Sequence, residues 1–99
     1  MKSQKDTPAT ADAEATAVSI LGWLANEPEN LSRFLALTGV APSDVRHAMG
    51  DPAFLAGLVD FLMGHEPTLM AFSAATGVQP EDVVRAHAIL SGPYGNDDF

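Results

Sequence analysis

From residue 28 onward prolines and glycines alternate along this chain, interrupted only by Gly57: Pro28, Gly39, Pro42, Gly50, Pro52, Gly64, Pro67, Gly77, Pro80 and Gly92. A proline is tolerated in the first turn of a helix, where its missing N–H has no partner to lose. A glycine just past the last turn supplies the left-handed residue that ends a helix. The punctuation therefore predicts short rods, over Pro28 to Thr38, Pro42 to Met49, Pro52 to Met63, Pro67 to Thr76 and Pro80 to Ser91. A first helix from Ala13 to Asn26 carries Ala17, Ile20, Leu21 and Leu24 at helical spacing. No alternating pattern argues for a strand.

Within that punctuation one corner is written twice. Thr38-Gly39-Val40-Ala41-Pro42-Ser43-Asp44-Val45 returns thirty-eight residues later as Thr76-Gly77-Val78-Gln79-Pro80-Glu81-Asp82-Val83. Gly39 and Gly77 read as helix stops, each with a valine after it in the position that a Schellman end turns back onto the helix. Pro42 and Pro80 read as helix starts, and Asp44 and Asp82 place negative charge at the positive end of the next helix. Leu24, Leu31, Phe34, Ala36 and Ala48 also meet identical residues thirty-eight positions on, and Trp23 meets Phe61. Two copies are too few to stack as a solenoid. The expected fold is all-α: a compact six-helix domain built from two pseudo-repeated three-helix units, residues 13–50 and 51–92.

The inward stripes are expected to hold Leu31, Phe34 and Leu35; Val45, Ala48 and Met49; Phe54, Leu55, Leu58, Phe61 and Leu62; Leu69, Phe72 and Thr76; and Val83, Ala86 and Leu90. Residues 1–12 are polar and aperiodic, which predicts a disordered tail, and 93–99 read as a short acidic tail with Tyr94 and Phe99 pinned back. Asp51 before Pro52 is the expected N-cap. Gly22 and Gly57 fall inside helices, either as tolerated residues or as points of close helix approach.

Charge narrows the function. Thirteen acids face five bases for a net charge of −8, and two of the bases, Lys2 and Lys5, lie in the expected tail. Such a surface repels nucleic acid and anionic lipid. The helix, glycine, helix outline of each corner is also that of a DNA-binding helix-turn-helix. Here the second helix leads with Ser43 and Asp44, or Glu81 and Asp82, behind Arg46 or Arg85 alone, so nucleic acid is an unfavoured partner. There is no cysteine and no apolar run long enough to span a bilayer or to follow the N-terminal lysines as a leader. A cytoplasmic, unexported protein without a membrane segment is expected.

The residues that carry chemistry elsewhere make no pattern here. His47, His65 and His87 lack metal-ligand spacing, so no metal or cofactor is expected. No serine sits in a nucleophile elbow and no glycine loop cradles phosphate, while Glu27, Glu29, Asp60 and Glu66 read as a solvated acidic surface. The reading is not an enzyme. Trp23, Phe61, Met63 and Met70, large apolar residues at the edges of stripes, are the expected interaction face, with Arg33 and Arg85 framing it.

The runs Arg33-Phe34-Leu35-Ala36-Leu37-Thr38-Gly39, Gly50-Asp51-Pro52-Ala53-Phe54-Leu55 and Leu58-Val59-Asp60-Phe61-Leu62, with the doubled corner, resemble the domain of unknown function 3572 family over about residues 15–92. The resemblance implies a small bacterial helical domain, and it implies no activity, because that family carries no motif to transfer. Taken with the residues, it leads to a non-enzymatic interaction module that binds an unknown protein partner or itself. The alternative is a helix-turn-helix DNA-binding regulator.

Overall fold

The computed structural model describes residues 8–96, with side-chain environments from 11 to 91. Six α-helices run in order: α1 Pro8–Leu24, α2 Pro28–Thr38, α3 Val45–Ala48, α4 Pro52–Met63, α5 Glu66–Thr76 and α6 Pro80–Asn96. A 3-10 turn, Pro42–Asp44, leads into α3. Among the described residues there is no strand.

Helices α1, α4 and α6 make the centre, each packed on the other two, while α2 and α5 lie at the periphery. The choice follows from the stripes. α4 buries Phe54, Leu55, Leu58, Val59 and Leu62, more than any other helix, so it is the element that the others must cover. From α1 come Ala13, Ala17, Ile20 and Leu24, and from α6 Val83, Ala86 and Leu90. Each peripheral helix adds one fully enclosed ring, Phe34 from α2 and Phe72 from α5.

The rings are locked edge to face, the arrangement that sets a positive ring edge on a negative face. Phe34 meets Phe54 at 5.5 Å and Phe61 at 5.4 Å, with interplanar angles of 65° and 69°. Trp23 meets Phe72 at 5.7 Å and 69°.

Several boundaries depart from expectation. α1 begins at Pro8, five residues ahead of Ala13, with a proline at its first position; the added residues, Pro8 to Asp12, offer only Ala9 and Ala11 as apolar signal. The helix expected over Pro42 to Met49 is a 3-10 turn followed by a single α turn. Only Met49, Gly50 and Asp51 remain to turn the chain into α4, and the residue before Pro52 is kept out of the helical region, with Asp51 at ψ 117°. α6 continues past Gly92 to Asn96, and Gly64 ends α4 at φ −82°, so among the described residues Gly39 and Gly77 alone act as the left-handed stops expected of the punctuating glycines. Residues 1–7 and 97–99, and the side chain of Tyr94, lie outside the described residues. Thr76, expected inward, is exposed, whereas Thr68 is buried.

Gly22 and Gly57 mark no close approach: a Cβ at either would meet nothing within 4 Å. Alanine at Gly22 or Gly57 should therefore stabilise the domain by about 0.5 to 1 kcal/mol through helix propensity, read as a rise in melting temperature. A fall at either position would mean that its surroundings are tighter than described.

Asp51 caps α4, its Oδ1 accepting the Ala53 N–H at 2.9 Å. Asp51→Ala should cost about 1 kcal/mol in urea unfolding, and an unchanged midpoint would mean the cap contributes nothing.

Candidate functional site

The two corners share their local construction. Gly39 and Gly77 are left-handed, at φ 76° and 83°. Each donates its N–H to a carbonyl four residues back, Leu35 or Ser73, at 2.8 Å. The threonine before each glycine donates its hydroxyl to the carbonyl of Phe34, at 3.1 Å, or of Phe72, at 2.8 Å. The same hydroxyls accept the N–H of Val40 at 3.4 Å and of Val78 at 3.2 Å. The expected Schellman end is thus replaced by the simpler single-bond left-handed cap, because the threonine hydroxyl takes the N–H that a Schellman bond would use. Gly39→Ala and Gly77→Ala have open space around the new Cβ, so their cost is conformational strain alone, about 1 to 2 kcal/mol in denaturant titrations.

Beyond the glycines the corners diverge. At the second, Pro80 opens α6, with Glu81 and Asp82 in its first turn. Ser73 Oγ donates to the Val78 carbonyl at 2.6 Å, and Arg85 Nη1 pairs with Asp82 Oδ1 at 2.9 Å. At the first, Pro42 opens only the 3-10 turn, and Asp44 makes no capping bond with its side chain. Leu35 stands where Ser73 does, and His47 where Arg85 does. Among the described residues Asp44 has no salt bridge.

A groove lies over each corner. Over the second it runs between α1 and α6, with Val78, Asp82, Arg85, Ala86 and Ile89 on one wall and α1 residues such as Asp12, Ala13, Thr16 and Ser19 on the other. The groove over the first corner, about 800 Å³, is lined by Val40, Asp44, His47, Ala48 and Asp51 with the flanking Gly39, Gly50 and Pro52. Moving each of the five α6-side residues back thirty-eight places gives five of the residues that line this groove. No second helix closes it. Accordingly Val45 and Ala48 are half-buried, whereas Val83 and Ala86, their counterparts under α1, are 0% and 1% exposed.

Of the expected face of Trp23, Phe61, Met63 and Met70, three residues are half-buried and one is exposed. Trp23 and Phe61 are half-buried with their rings against Phe72 and Phe34, and Met63 packs on the margin of the core. Met70 stands out to solvent at 49% exposure. Leu37, Val18 and Val84 are exposed as well, Leu37 most of all at 71%. The signal for Leu37 was available, since it falls off the stripe of Leu31, Phe34 and Leu35.

Asp60 faces a histidine rather than a second carboxylate, its Oδ1 lying 3.2 Å from His87 Nε2 across α4 and α6 on an exposed surface. His65 shares a hydrogen bond with the buried Thr68 at the start of α5, and His47 lines the first groove. Among the described residues no three acids and histidines gather where they would hold a metal. No helix there is long and apolar enough to cross a membrane.

The sequence profile of a family described as a protein of unknown function, DUF3572, matches residues 10–93. The chain belongs to this family. The matched span of this DUF3572 protein takes in both corners and both grooves. No curated protein and no solved structure matches it.

Proposed function

We propose that this DUF3572 protein is a non-enzymatic, cytoplasmic interaction module that receives a helix, from a partner protein or a second copy, in the groove over its first corner. One observation carries the reading: Val45 and Ala48 of the first corner are left half-buried beside an open groove, while Val83 and Ala86, thirty-eight residues on, are buried where α1 packs on α6. The molecule thus contains its own example of a helix seated on such a surface.

The reading includes two three-helix units related by an approximate twofold axis. Its support is reciprocity, the signature of an isologous contact, in which residue i of one unit touches j of the other and j touches i. Trp23 of the first unit touches Phe72 of the second, and Phe61, thirty-eight residues after Trp23, touches Phe34, thirty-eight before Phe72. Ala17, Ile20, Leu24 and Phe34 are buried, as are their partners Leu55, Leu58, Leu62 and Phe72. The third elements break the symmetry, because the chain must leave α3 at once to begin α4.

The DNA-reading alternative has less behind it. α3 has four residues, too few for a recognition helix, and α6 would bring Glu81 and Asp82 toward phosphate. A gel shift at about 50 mM salt would revive it. For the interaction reading, a photo-crosslinking residue at the exposed His47 is expected to capture a protein in the native host, and the same residue at the exposed Ala75 is not. Equal capture at both positions, or none at either, contradicts the proposal.

A further inference from the structure

Resting on the interaction reading above, we infer that the first-corner groove takes a basic helix with small contact residues, supplied by a different protein. The covered corner shows the shape of the occupant. α1 packs on α6 there with Ala13 and Ala17 buried, short side chains that let one helix lie close to another, while Asp12, Thr16 and Ser19 line the groove left between the two. Val40 and Ala48 repeat the small, apolar floor of Val78 and Ala86, so a helix of the same relief fits them.

The charge of the open corner differs from that of the covered one, and the difference selects the partner. Asp82 is neutralised within its own corner by Arg85 at 2.9 Å. His47 occupies the Arg85 position in the first corner and makes no ion pair with Asp44 among the described residues. Asp44 and Asp51 both line the groove and are exposed. Asp51 is engaged by the Ala53 N–H, which leaves Asp44 as the acid that a lysine or arginine of an incoming helix would meet. A second copy does not fit this demand. α1, the helix that covers the second corner, carries no lysine or arginine, and two chains at −8 repel one another.

The test uses the full chain and a stapled helical peptide with the sequence of α1, Pro8 to Leu24, carrying Asp12→Lys and Ser19→Lys. Titration followed by backbone amide NMR is expected to shift Val40, His47 and Ala48 saturably, and binding should weaken as salt is raised. Asp44→Asn, a change at an exposed side chain without a hydrogen bond, should weaken it by up to about fivefold, the size of one exposed ion pair. Shifts centred on Val78 and Ala86, no saturable shift, or equal binding by Asp44→Asn would each overturn the inference.

Light scattering of the chain alone across micromolar concentrations should show a monomer. A dimer that is lost on Ala48→Glu would also overturn the basic-helix assignment while leaving the interaction module in place. Failure of the His47 crosslinker to capture anything would instead remove the module itself.

Discussion

Truncating Phe34 or Phe72 to alanine will lower the stability of this domain by about 3 to 5 kcal/mol. Each ring is almost wholly enclosed, at 1% and 0% exposure, and each is the only large side chain that its peripheral helix drives fully into the centre. Removal therefore costs the transfer of the ring and opens a cavity that α4 and its neighbours cannot fill without losing their own contacts. Phe34 has the further loss of two edge contacts, with Phe54 and Phe61. Against a total of about 5 to 15 kcal/mol for a domain of this kind, either variant sits near the edge of folding. Urea titrations followed by circular dichroism read the effect, since Trp23 fluorescence changes with Phe72 itself. A cost below about 1 kcal/mol at both sites would mean that α2 and α5 do not contribute to the core as described.

The second large effect is a contrast between two valines at the same place in the two corners. Val83→Asp buries a charge at a position with 0% exposure and should destabilise by about 4 kcal/mol or more, enough to leave much of the chain unfolded. Val45→Asp places the same carboxylate at a half-buried site beside the open groove, in the first turn of α3, where water and the helix N-terminus receive it. Its cost should be about 1 kcal/mol or less. Melting both variants in parallel checks the asymmetry between the corners independently of any partner. Similar losses in the two would imply that the first corner is covered too.

The corners were legible because they are local. A left-handed glycine, the threonine before it and the proline after it act within eight residues, and each acts where expected, apart from the kind of cap and the 3-10 turn at Pro42. The six helices followed from the same punctuation and from stripes such as Leu58 with Leu62. What was hidden depends on neighbours distant in the chain. Pro8 to Asp12 offer only Ala9 and Ala11 as apolar signal, and it is beside α6 that the chain is helical there, so the start of α1 was placed late. Trp23 and Phe61 look like edge residues on their own helices, yet each reaches across to a ring on a helix of the other half. The open groove was least legible, because its lining is written almost alike in both corners. Only the path of α1 decides which of them is covered.

The proposal that two halves share one core through reciprocal contacts is tested most directly by cutting the chain between Gly50 and Asp51 and measuring helix content of the pieces. Residues 1–50 and 51–99 should each show little helix and no cooperative melt alone. Mixed in equal amounts, they should regain a single cooperative transition. A native-like melt of either piece by itself, or a mixture that stays unstructured, would contradict the account.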